Sequence, residues 1–158
     1  MTYRDGPIPD CLWKPLSRFT DRRGWLTELF RHDEMPEVYH PVMCYLSMTE
    51  PGVARGPHEH VEQADYFCFV GPSDFRVYLW DARKDSPTYG HREVKVVGES
   101  QMMALIVPAG VVHAYQNVGD KPGIVFNAPN QLYAGHGKKS PVDEIRHEND
   151  ASSPFQLD

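Results

Sequence analysis

The chain of 158 residues has the length of one domain, and at 41% hydrophobic and 11% aromatic content it can build a core, which excludes a disordered chain. Sixteen Lys and Arg against twenty-two Asp and Glu give a net charge of −6 with no basic cluster, so a general nucleic-acid binder is excluded too. No apolar run approaches the ~20 residues of a membrane span and no basic-then-apolar leader opens the sequence, so a cytoplasmic protein without a membrane partner is expected.

Fourteen prolines and twelve glycines are spread along the whole length. Proline removes a helical donor and clashes with the preceding turn, which leaves room for short helices only at 31–39, interrupted by Pro36, and at 141–147. Elsewhere the pattern is of short β-rich runs between turn residues: 43–48, 66–70, 75–80, 93–97, 102–107, 111–117 and 123–128. Such a series predicts a single all-β domain over 1–158, an antiparallel sandwich or barrel. Runs such as Ala104-Leu105-Ile106-Val107 are apolar at every position, as in a strand buried on both faces or an edge packed into a dimer. The three cysteines are widely spaced and odd in number, which argues against a disulfide framework; Cys44 and Cys68 read as small core residues.

Two segments carry chemistry. One is Gly56-Pro57-His58-Glu59-His60-Val61-Glu62-Gln63-Ala64-Asp65; the other runs from Pro108 through Gly110 and His113 to Asn117. Alternation along a strand points His58 and His60 the same way, and a tight turn before His113 can bring a third imidazole beside them. With Asp65, or with Glu62 if the strand continues, these residues form a plausible cage for zinc, iron, manganese or nickel.

The two segments resemble the paired motifs of the cupin superfamily, a jelly-roll β-barrel. The second meets PxGxxHxxxN in full, and the first has HxH with Asp65 beyond it. Three further stretches narrow the resemblance: Phe19 to Glu28 (FTDRRGWLTE), Gly52 to His58 (GVARGPH) and Asp81 to Gly90 (DARKDSPTYG). Together with Ile106 to His113, and in this order, they are similar to the dTDP-4-dehydrorhamnose 3,5-epimerase family. That resemblance implies a cupin-type jelly roll with short peripheral helices, usually a homodimer, acting on a nucleotide-linked 4-keto-6-deoxyhexose. It makes His58 the general base, for which a pKa near 6.5 is suited. It places Arg23, Glu28 and Arg55 at the nucleotide diphosphate, where arginine forks fit phosphate oxygens, and His60 and His113 in the same pocket. A C-terminal carboxylate, Glu148 or Asp150, would partner His58.

The departures fall on the catalytic parts. His60 stands where the family commonly has glutamine. The lysine that faces the developing enolate should fall near Asp65 or Tyr66, and neither is a cation. The proton-donating tyrosine aligns with Phe126, which leaves Tyr133 or Tyr115 to substitute. Met43 and Tyr45 stand where the family usually has polar residues near the nucleotide. Losing a lysine while gaining His60 and Asp65 exchanges an organic electrophile for metal ligands. No cofactor is expected if the chain works as the family does, and a divalent metal if the ligand set is used. The two readings compete for His58.

Overall fold

A chain cut by turn residues every few positions can satisfy its backbone only by pairing distant short strands, and the computed structural model, which describes residues 2–158, does this throughout. The strands are β1 (Arg4–Asp5), β2 (Leu12–Pro15), β3 (Phe19–Asp21), β4 (Gly24–Leu26), β5 (Tyr45–Thr49), β6 (Ala54–Glu59) and β7 (Asp65–Gly71). They continue as β8 (Asp74–Asp81), β9 (His91–Gly98), β10 (Met103–Val107), β11 (Val111–Asn117), β12 (Gly123–Asn127) and β13 (Ile145–Arg146). One sheet has the order β1-β9-β8-β11-β6-β13, the second β2-β10-β7-β12-β5, and β3 pairs only with β4 as a hairpin. The fold is the all-β, two-sheet barrel expected for a cupin-type jelly roll.

The core lies between the two sheets and draws alternate residues from each: Phe67 and Phe69 of β7, Phe75, Val77 and Leu79 of β8, Leu105 and Val107 of β10, Tyr115 of β11 and Val125 of β12. The intervening positions explain the runs without alternation. Ala104 and Ile106 point to the other face of their sheet, where Tyr66, Cys68, Leu29, Phe30 and Phe126 cover them. Tyr78, Trp80, Val112 and Phe155 do the same outside the six-stranded sheet. Both faces of the central strands are therefore buried within one chain.

Several local expectations change. The helical potential of 31–39 appears only as single 3-10 turns at His32–Glu34 and Glu37–Tyr39, separated by Pro36. The segment 141–147 is not a helix: Ile145 and Arg146 pair with Glu59 and His58, because β6 offers an unpaired edge that extended backbone can satisfy. Cys68 is buried as expected, whereas Cys44 is exposed, since it lies in the approach to β5 and outside the core.

Candidate active site

The turn residues of the two motifs serve a close approach. β6 and β11 pair antiparallel with His58 opposite His113, and the register shifts between His113 and Tyr115. At Gly56 the backbone is left-handed (φ 81°), and a Cβ there would lie 2.6 Å from the His113 carbonyl oxygen and 3.0 Å from His58 Nδ1. Only glycine lets the two histidine strands come so near. Gly110, at φ 77°, completes the turn before β11, and its N–H donates to the His60 carbonyl (2.8 Å). The two motifs are thus tied to each other as well as folded alike.

His58 and His60 line a pocket of about 800 Å³, and the buried Asp65 and His113 stand beside them. One potential ligand atom from each of His58, His60, Asp65 and His113 lies within 4.8 Å of the others. His60, Asp65 and His113 are 8%, 2% and 2% exposed. Asp65 Oδ2 stands 3.1 Å from His60 Nε2 and 3.2 Å from His113 Nε2. Its other oxygen accepts from Gln63 Nε2 (3.0 Å) and Asn127 Nδ2 (2.9 Å). Both histidines are oriented from behind: His113 Nδ1 donates to the Val111 carbonyl (3.1 Å) and His60 Nδ1 to the Asp143 carbonyl. The loop carrying His60 is held by the Asp143 carboxylate, which accepts from the N–H groups of Val61, Glu62 and Gln63 at 2.7, 2.8 and 2.9 Å.

The charges follow from this geometry. Burial, reinforced by the neighbouring His113, pushes His58 down to about 2, so the ring is neutral at any working pH. Burial also opposes a charge on His60, but the adjacent Asp65 carboxylate and the Asp143 carbonyl outweigh it and lift the ring to about 8. Burial pushes the Asp65 carboxyl up, yet the His113 and His60 nitrogens prevail and hold it well below the usual carboxylate range. The cluster therefore combines a neutral imidazole with a carboxylate that stays ionised.

The structure gathers some predicted residues and separates others. Arg55 lines the pocket, donating from Nε to Thr49 Oγ1 (2.9 Å) and from Nη2 to the Met48 carbonyl (2.7 Å). Tyr133, Tyr115 and Glu148 line it too, as do Met43 and Tyr45. Glu148 makes no ion pair with His58 among the described residues; the carboxylate beside the histidines is Asp65, and Asp150 instead caps Ser152. Glu62 is exposed and outside the cluster, because β6 ends at Glu59 and the Asp143 carboxylate bends the loop. Phe126 faces the outer hydrophobic layer, and the inward residue beside it is Asn127. Arg23 and Glu28 do not reach this pocket: Arg23, its side chain 82% exposed, pairs with Asp21 at the tip of the β3–β4 hairpin, and Glu28 lies 3.5 Å from Arg31. Gln63, Asn127, Asp143 and Arg146 are participants that sequence reasoning missed. Asn127 and Asp143 act through contacts to Asp65 and His60 that lie 62 and 83 residues away, which no local spacing signals, whereas Gln63 is only two and three residues from the side chains it meets.

A family model described as dTDP-4-dehydrorhamnose 3,5-epimerase matches residues 5–142. The chain belongs to that family. It is 40% identical over 128 residues, 80% of this chain and 81% of the relative, to a probable low-salt glycan biosynthesis epimerase of Haloferax volcanii. Among solved structures it superposes with a TM-score of 0.77 on a dTDP sugar isomerase of Desulfovibrio desulfuricans, at 22% identity and covering 92% of this chain and 89% of that one. A Legionella pneumophila 3,5-epimerase in complex with dTDP-4-keto-L-rhamnose gives 0.76 at 18% identity, covering 99% and 82%. These two likenesses establish the fold. Among the described residues no helix is long and apolar enough to cross a membrane.

Proposed function

We propose that this family member is a nucleotide-sugar epimerase that acts on a 4-keto-6-deoxyhexose, with His58 as the base. The observation that carries the reading is His58 itself, an imidazole without a side-chain hydrogen bond among the described residues, in the lining of the pocket that Arg55 also lines. A base needs a free lone pair, and among the described residues no side-chain hydrogen bond occupies one on the His58 ring. His58 takes the proton from the carbon next to the ketone, the bonding pair moves into the carbonyl to form an enolate, and a proton returned to the other face inverts the centre. Tyr133 or Tyr115 supplies that proton. The Tyr115 hydroxyl, 3.0 Å from Ser47 Oγ, has its pKa raised by burial and is held in the protonated form a donor requires.

In this reading Arg55 binds the diphosphate. Arg146 is a second cation of the lining, paired with Glu144 at 2.6 Å. Arg23 and Glu28 serve the pocket of a second copy of the chain, since their own hairpin carries them away from the pocket of this one. Phe19, Trp25 and Leu26 of that hairpin and Leu46 and Met48 of the edge strand β5 are all exposed, the kind of apolar surface a homodimer covers.

Deuterium uptake tests the chemistry. The protein incubated in heavy water with nucleotide-linked 4-keto-6-deoxy sugars is expected to exchange deuterium into C3 or C5, read by mass spectrometry. Tight binding of such a sugar without exchange at either carbon would reduce the protein to a binding module.

A further inference from the structure

The hydrogen bonding beside the pocket is incomplete even when His60 holds a proton. The carboxylate of Asp65 only accepts, and His60 and His113 have each committed their Nδ1–H to a backbone carbonyl. In neutral rings both Nε2 atoms therefore carry lone pairs, and both point at Asp65 Oδ2. Gln63 brings one amide N–H to His60 Nε2, at 3.2 Å. Asp65 Oδ2 and His113 Nε2 are fully buried and find no hydrogen-bond partner among the described residues. Three acceptors converging in a dry place, two of them unsatisfied, call for a cation.

We propose that His60, Asp65 and His113 form a divalent transition-metal site, with His58 beside it as the free base. Donor atoms that share one ion at ~2.0–2.2 Å lie ~3–3.5 Å apart, and the observed separations of 3.1 and 3.2 Å fall in that range. Each ligand is already oriented from behind: the rings by the Asp143 and Val111 carbonyls, the carboxylate by Gln63 and Asn127. This is the outer support that metal-binding histidines and carboxylates ordinarily receive. Two imidazoles and one carboxylate suit zinc, iron, manganese, cobalt or nickel better than the all-oxygen preference of calcium or magnesium, and three protein ligands leave coordination positions open. His58 differs from the other two histidines in having no hydrogen bond behind its ring among the described residues, which is why it is assigned the base and not a fourth ligand.

When bound, such an ion supplies positive charge beside the enolate oxygen, where this chain has no lysine. That role rests on the epimerase reading; occupancy of the site does not. The protein purified without an affinity tag is expected to carry about one equivalent of transition metal by elemental analysis. After chelation, titration with cobalt(II) should produce saturable d–d absorption and raise the melting temperature. Asp65→Asn should weaken cobalt binding by more than the ~10–100-fold that loss of an outer partner costs, with circular dichroism confirming its fold. His58→Gln should keep the cobalt spectrum. Less than about a tenth of an equivalent in the wild type, with no cobalt absorption after loading, would overturn the proposal and leave a cluster that shares protons only. Loss of cobalt from His58→Gln as complete as from Asp65→Asn would overturn the division between ligand and base. Deuterium exchange is scored separately on the same samples, so a metal-free but active enzyme would defeat the metal site and spare the epimerase.

Discussion

Replacing Asp65 with asparagine in chelated protein changes one charge and almost no volume, and the structure fixes both the size and the pH dependence of the result. The Asn oxygen keeps the hydrogen bonds from Gln63 and Asn127, while its amide nitrogen takes the place of Oδ2 and faces the two imidazoles. What disappears is the carboxylate that, more than the Asp143 carbonyl, lifts His60 to about 8. A histidine raised from 6.5 contributes stability that is fully present below pH 6.5 and is lost as pH rises through about 8. At about 1.4 kcal/mol per unit, the 1.5-unit rise amounts to about 2 kcal/mol, and His60 is too buried for solvent screening to reduce it much. Asp65→Asn is therefore expected to cost about 2 kcal/mol at pH 6 and close to nothing from this source at pH 9, where an amide donor beside two neutral rings is well placed. Urea denaturation of both proteins at the two pH values measures it. A destabilisation that is equal at pH 6 and pH 9 would refute the assignment of the His60 proton to Asp65.

Three further outcomes follow from the pocket. His58→Gln should reduce deuterium exchange by ~10²–10⁴-fold while leaving nucleotide-sugar affinity within a few fold, as measured by mass spectrometry and calorimetry. Arg55→Ala should weaken binding of a nucleoside diphosphate by ~1.5–3 kcal/mol, about 10- to 150-fold, because the lost contact is a charge-assisted one; an unchanged dissociation constant would remove Arg55 from the diphosphate site. Of Tyr133→Phe and Tyr115→Phe, the one that abolishes inversion but still exchanges the substrate proton identifies the donor, and a pair with wild-type product ratios excludes both. For assembly, Leu46→Glu on the exposed edge strand should shift the sedimentation coefficient from that of a dimer to that of a monomer.

Much of the fold was legible because the turn residues are strong and local. Pro72-Ser73-Asp74 and Pro108-Ala109-Gly110 end strands whatever packs around them, so the cores of β7, β8, β10, β11 and β12 fall where the pattern puts them. The segment 141–147 failed because two residues of extended backbone carry no periodicity; Ile145 and Arg146 become a strand only when β6 is beside them. The cluster of His58, His60, Asp65 and His113 was readable from spacing, since strand alternation and a tight turn dictate where those side chains point. Choosing Asp65 over Glu62 was not, because the end of β6 depends on a carboxylate more than eighty residues away. The motif around Arg23 marks the family clearly but does not reveal that its hairpin carries Arg23 away from the pocket of its own chain.

The grip of Asp143 has a consequence for how the molecule comes into being. The orientation of His60 is set by a backbone carbonyl, and the curve of its loop by a carboxylate, both belonging to a residue made long after the two sheets have their full complement of core strands. A chain emerging from the ribosome can assemble its barrel first and acquire a competent active site only when the tail wraps across β6. Assembly of the chemistry is in this sense the closing event of folding, and a protein shortened before that residue would keep its shape while losing the fixed placement of a histidine.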